Sequence, residues 1–119
     1  MLKRILVVDD DTDVRSILCD RLGAMGFEVA LASTGHAGME IIKATRIDGI
    51  LLDVEMPIMN GLTMLRELRD RHPDIPVIMM SAATNMEKLE AAIRSGAADY
   101  VLKPIDGENL EQKCRRLFG

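Results

Sequence analysis

The sequence predicts an α/β fold in which five parallel strands form one sheet with helices covering both faces. Two observations carry that expectation. Short β-rich runs alternate with stretches of helical spacing from one end of the chain to the other. The first, third and fourth of these runs are near-continuous Val, Ile, Leu and Met rather than apolar alternating with polar, the pattern of a strand buried on both sides. A chain of 119 residues has room for one such core and not for a second.

In order, the strand-like runs are Arg4 to Val8, Glu28 to Leu31, Gly49 to Leu52, Val77 to Met80 and Tyr100 to Leu102. After the first, Val14, Ile17, Leu18, Leu22 and Met25 recur at steps of three and four, which predicts a helix capped at Asp11 or Thr12 and loosened at its end by Gly23 and Gly26. The second and fourth helical stretches are weaker in pattern. The third repeats Leu62, Leu65 and Leu68 and is ended by His72-Pro73; the last carries Leu110, Cys114 and Leu117. Asn60-Gly61 would suggest a hairpin, but a helical pattern follows, so it is expected as a loop into the third helix. No linker, repeat or low-complexity tract breaks the alternation, so residues 1–119 are expected to be one domain.

Composition narrows the function. Apolar residues are 48% and charged residues 29%, the balance of a packed globular protein. Fifteen basic against nineteen acidic side chains leave a net charge of −4, no electrostatic footprint for nucleic acid or anionic lipid, so direct DNA binding by this segment is not expected. The apolar run after Lys3-Arg4 is too short for a signal sequence or a membrane span, which points to a cytoplasmic protein. Cys19 and Cys114 are far apart and each falls on a helical apolar face, so both are expected as buried thiols.

In an open parallel sheet the functional crevice lies beyond the carboxyl ends of the strands. Asp9 and Asp10 follow the first strand, Asp53 closes the third, Ser81 closes the fourth and Lys103 follows the fifth. If right-handed crossovers bring strands one, three, four and five together, three carboxylates, a hydroxyl and an ammonium share one rim. Carboxylates so crowded would keep a proton at neutral pH unless a cation joined them. Oxygen ligands on an open rim suit a hard divalent ion, Mg²⁺ above others because it keeps waters and accepts a phosphoryl oxygen. A carboxylate beside a metal and an ammonium is a competent phosphoryl acceptor, and Asp53, central in the sheet, is the expected nucleophile.

Val8-Asp-Asp-Asp11, Leu52-Asp-Val-Glu-Met-Pro57 with Asn60-Gly61, Met80-Ser-Ala82, Gly96-Ala97 and Tyr100-Val-Leu-Lys-Pro104 together resemble the receiver domain of two-component response regulators, of the chemotaxis type. The resemblance covers essentially the whole chain. It implies a doubly wound (βα)5 flavodoxin-like fold with strand order 2-1-3-4-5, and a signalling switch rather than an enzyme with its own turnover substrate. It implies that Asp53 takes a phosphoryl group from the phosphohistidine of a sensor histidine kinase or phosphotransfer protein. Asp9 and Asp10 are similar to the metal-binding pair, joined by Asp53 and the backbone carbonyl of Glu55 around Mg²⁺, for which Mn²⁺ can substitute. Lys103 resembles the family's phosphate partner, Ser81 its moving hydroxyl and Tyr100 its switch aromatic. Pro57, Gly61 and Pro104 resemble residues that set loop geometry, the last through a cis bond after Lys103 that would aim the lysine at the rim. Glu55 and Ala83 stand where such domains tune phosphoryl lifetime. The implied output surface is the fourth helix, fifth strand and fifth helix, around Met86 to Ser95, Tyr100 and Glu108 to Leu117. It would serve a downstream effector, a fused output domain or a homodimer.

Each feature has a plainer reading when taken alone. Asp11 is best read as a helix cap. Asp9, Asp11 and Asp13 imitate the start of a calcium loop, but Val14 and Asp20 occupy the places that need Gly and Glu. Asp53 alone could be a turn residue, Ser81 a loop hydroxyl and Lys103 a solvated charge; only their convergence argues otherwise. Asp53-Val54-Glu55 faintly resembles phosphatases with an aspartyl nucleophile, which carry a second Asp and a substrate-covering element for which this chain has no room. An interaction module that never takes phosphate is the remaining alternative. His36 and His72 have no partners at ligand spacing, and the nine Met residues are scattered as packing filler.

Overall fold

The computed structural model describes residues 2–119. Five strands, β1 (Arg4–Val8), β2 (Glu28–Ala32), β3 (Gly49–Asp53), β4 (Val77–Ala82) and β5 (Asp99–Lys103), alternate with five helices. The helices are α1 (Thr12–Ala24), α2 (Gly35–Ala44), α3 (Gly61–Arg71), α4 (Met86–Arg94) and α5 (Gly107–Leu117), with one 3-10 turn at Ala83–Asn85 before α4. The strands form one sheet in the order β2-β1-β3-β4-β5, and every pairing is parallel. This is the 2-1-3-4-5 flavodoxin-like arrangement, whose order reverses between β1 and β3.

Continuous apolar strands are what two covering layers demand. Along β1, Leu6 and Val8 pack into one core with Met39 and Ile42 of α2, Met64, Leu65 and Leu68 of α3, and Leu89 and Ala92 of α4. Ile5 and Val7 point the other way, with Leu18 and Leu22 of α1 and Leu110, Cys114 and Phe118 at the α5 end. Strand side chains alternate between faces, so one apolar run serves both cores.

Four helices start on a side-chain cap: Asp11, Thr34, Asn60 and Asp106 each accept a hydrogen bond from an amide of the first turn. Asn60-Gly61 thus opens α3 rather than closing a hairpin. In α4 the cap position is Asn85, and no side-chain cap bond forms there.

β3, β4 and β5 run one or two residues further than their apolar runs, because main-chain pairing continues through Asp53, Ser81 and Lys103. The apolar face of α1 is narrower than its spacing predicts. Leu18 and Leu22 are buried, whereas Ile17 is 54% exposed, beside a shallow groove that it lines with Val14, Pro104 and Ile105. Cys114 is buried, with its thiol pushed up to about 12 by burial, but Cys19 is only half-buried; both are free thiols. No helix among the described residues is long and apolar enough to cross a membrane.

Candidate functional site

The carboxyl ends of β1, β3, β4 and β5 bring the expected polar residues to one edge of the sheet. Asp9 and Ser81 are completely buried, Asp53 is 1% exposed, and Asp10 opens to solvent. Asp9, Asp10 and Asp53 each offer a carboxylate oxygen within 4.8 Å of the others.

Main-chain geometry fixes these acids. Asp9 Oδ1 accepts the Asp11 amide at 2.9 Å, and the Arg15 guanidinium donates to the Asp9 carbonyl at 2.7 Å, tying the acidic turn to the first turns of α1. Asp53 Oδ1 accepts the Glu55 amide at 3.3 Å. Behind it the chain turns so tightly that a Cβ on Gly61 would overlap the Asp53 carbonyl oxygen and lie 2.9 Å from Val54 Cα. Gly61 is therefore required by close main-chain approach, and it sets where Asp53 sits.

Lys103 Nζ lies 2.8 Å from Asp9 Oδ2 and 3.2 Å from Asp53 Oδ1. The Lys103–Pro104 bond is cis. One ammonium therefore bridges two buried carboxylates. Burial pushes the Asp53 carboxyl up to about 7, the Asp9 charge adds to that, and Lys103 offsets only part of it. For Lys103 burial acts downward, but the hydrogen bond to Asp9 and the charges of Asp53 and Asp9 together raise it above the ordinary lysine range. With negative charge in excess, a buried acid that still favours a proton near neutrality and a second acid open to water, the donor set fits a divalent cation with oxygen ligands.

Ser81 is at this edge, but its hydroxyl donates to the Glu55 carboxylate and not to Asp53. The same Glu55 oxygen accepts from the side-chain amide of Asn85. Burial would raise the Glu55 carboxyl, but these two bonds and others outweigh it and hold it below the ordinary range. That the Glu55 carboxylate bonds both Ser81 and Asn85 had no signal in the sequence, because it depends on two loops meeting after β3 and β4. Tyr100 is half-buried against the α4 face, with Lys113 Nζ 4.9 Å above its ring centroid. Pro57 is exposed in the loop after Asp53.

Comparison with known proteins places this geometry. A family model described as "Response regulator receiver domain" matches residues 5–115. The "Transcriptional regulatory protein ZraR" of Escherichia coli (strain K12) is 40% identical over 107 residues, covering 90% of this chain and 24% of that protein. The "Response regulator MprA" of Mycobacterium ulcerans (strain Agy99) is 39% identical over 118 residues, 99% of this chain and 51% of its own. The chain thus spans between a quarter and about half the length of these curated relatives. Among solved structures, the receiver domain of NtrX from Brucella abortus superposes with a TM-score of 0.92 at 32% identity, covering 96% of this chain and 97% of that one. The Vibrio cholerae chemotaxis protein CheY4 gives 0.91 at 28% identity, covering 98% and 99%.

Proposed function

We propose, from the premise that the chain belongs to the response regulator receiver domain family, that Asp53 is its phosphoacceptor. The observation that carries this is a single one: Asp53 is buried at the end of the central strand, 3.2 Å from the Lys103 ammonium and within 4.8 Å of the Asp9 and Asp10 carboxylates. A carboxylate oxygen of Asp53 attacks the phosphorus of a phosphohistidine. The P–N bond breaks as the new O–P bond forms, and the histidine ring departs with its electron pair. Lys103 faces the charge that builds on the phosphoryl oxygens, and Ser81 supplies a hydroxyl to one of them once it has turned from Glu55.

Receiver domains generally bind Mg²⁺ at the acidic pocket. Here Asp9, Asp10, Asp53 and the Glu55 carbonyl would hold it, with Mn²⁺ able to substitute, and it supplies charge neutralisation at the transferring group. The phosphodonor is a sensor histidine kinase or a phosphotransfer protein. The signal leaves through α4, β5 and α5, where Tyr100 is the switch aromatic, to a downstream effector, an attached output domain or a second copy of the chain. Residues 1–119 act as one receiver unit in the cytoplasm, without a turnover substrate of their own.

The test is intact-mass spectrometry after incubation with Mg²⁺ and a small phosphodonor. One added phosphoryl group, absent from Asp53→Asn and absent when metal is chelated, is the expected result. No adduct on the native chain, or an adduct that survives Asp53→Asn, would overturn the assignment. Steady phosphate release from unrelated esters would mark a phosphatase instead.

A further inference from the structure

We propose that the Glu55 carboxylate is a positioning group that holds the Ser81 hydroxyl and the Asn85 amide together before phosphorylation, so that phosphoryl arrival at Asp53 releases the first turn of α4. This rests on the reading of Asp53 as phosphoacceptor.

The argument begins with hydrogen-bond capacity. A serine hydroxyl has one proton to donate. In this structure it goes to Glu55, so Ser81 cannot donate to a phosphoryl oxygen on Asp53 until that bond breaks. Glu55 lies two residues beyond Asp53 and its amide donates to the Asp53 carboxylate, so a phosphoryl group there would bring roughly two negative charges close to the Glu55 carboxylate. The hydroxyl then has a stronger acceptor elsewhere, and Glu55 a like charge to avoid.

Asn85 carries the effect to a helix. Asparagine is among the best N-cap residues, and Asn85 occupies the cap position of α4. Its side chain nevertheless donates to Glu55, and α4 is the one α-helix among the described residues without a side-chain cap bond. Once Glu55 releases the Asn85 amide nitrogen, the side chain is free to turn its carbonyl oxygen toward the amides of Glu87 or Lys88. Release therefore exchanges a tie to the acidic rim for a cap on α4, and a charge change at Asp53 becomes a change in how the α4 face begins.

Beryllofluoride with Mg²⁺, a phosphoryl mimic that needs no donor, is the probe, and its affinity is read by calorimetry. Glu55→Ala is expected to tighten binding about tenfold, the lower range for one hydrogen bond to a charged group. Removing a nearby charge would also tighten binding, so the deciding measurement is a cycle with Ser81→Ala. In the Ser81→Ala background the gain should shrink to about threefold or less, because no hydroxyl remains to be released. Equal gains in the two backgrounds would overturn the latch. Amide hydrogen exchange gives a second readout: beryllofluoride should slow exchange at Glu87 and Lys88 in the native chain and not in Asn85→Ala. The same slowing in both, or in neither, would sink the α4 half of the proposal. A native chain that binds no beryllofluoride and forms no phosphoryl adduct would defeat the phosphoacceptor reading itself, whereas a chain that binds but shows additive variants would defeat the latch alone.

Discussion

Replacing Asp53 by Asn should stabilise the metal-free protein at pH 8 and leave its stability at low pH almost unchanged. Asp53 is 1% exposed, and burial and the Asp9 charge raise its carboxyl from 3.8 to about 7 despite Lys103. Because the folded value lies above the unfolded one, the folded state holds the proton more tightly. The stabilisation this gives is whole below pH 3.8 and is lost as pH rises through about 7. At 1.36 kcal/mol per pH unit, the span from 3.8 to about 7 corresponds to about 4 kcal/mol as an upper figure. The substitution also takes from Lys103 its 3.2 Å partner while leaving Asp9 at 2.8 Å, which trims the gain to about 2–4 kcal/mol. For a domain of this size that is on the order of 10 °C in Tm. Thermal and urea unfolding at pH 5 and pH 8, with chelator and with millimolar Mg²⁺, would measure it. Mg²⁺ should narrow the gap at pH 8 by binding the native acids. An Asn variant no more stable than the native chain at pH 8 in chelator, or a gain of equal size at both pH values, would refute the claim that Asp53 bears the cost of a charge buried beside Asp9.

Two further substitutions probe what frames the site. Gly61→Ala should cost about 1–3 kcal/mol in urea unfolding, since its methyl must displace the Asp53 carbonyl or the Val54 backbone, and phosphoryl uptake by mass spectrometry should slow with it. Arg69→Met should cost about 2–4 kcal/mol in the same assay, because the Arg69 guanidinium donates to the carbonyls of His72, Ile75, Pro73 and Gly96, and the more buried of these would be left unpaired.

The parts of the fold that could be read from the sequence are those in which a residue's type depends on its own burial. β1, β3 and β4 are covered on both faces and so carry unbroken apolar runs, Ile5 to Val8, Ile50 to Leu52 and Val77 to Met80, and the acids stand out because they follow such runs directly. Features that arise only when separate loops meet left no such mark. Ile17 keeps helical apolar spacing yet lies open, because the groove beside it is shaped by Pro104 and Ile105 from the far end of the chain. The Arg69 cluster was invisible since its acceptors are main-chain carbonyls, which every residue has. Glu55 was legible as a position near Asp53, but nothing in its spacing to Ser81 and Asn85 says that its carboxylate bonds both.

Those two unreadable clusters bear on the same helix. Arg69, on α3, donates to the Gly96 carbonyl just past the end of α4 at 3.3 Å and to the Ile75 carbonyl before β4, so the far end of α4 is fastened to its neighbours through main-chain groups that carry no net charge. The near end is fastened through Glu55, an anion beside Asp53. An added charge at Asp53 acts strongly on the second tie and weakly on the first, since Coulomb interactions fall with distance and the Arg69 cation stands eight residues, about 12 Å, along α3 from the Gly61 end that abuts Asp53. A helix held by one tie beside the added charge and one far from it responds by moving at one end. Motion at α4 should therefore be greatest at Met86 and Leu89 and least near Ser95. This gradient follows from where the ties lie and requires no flexibility of the helix itself.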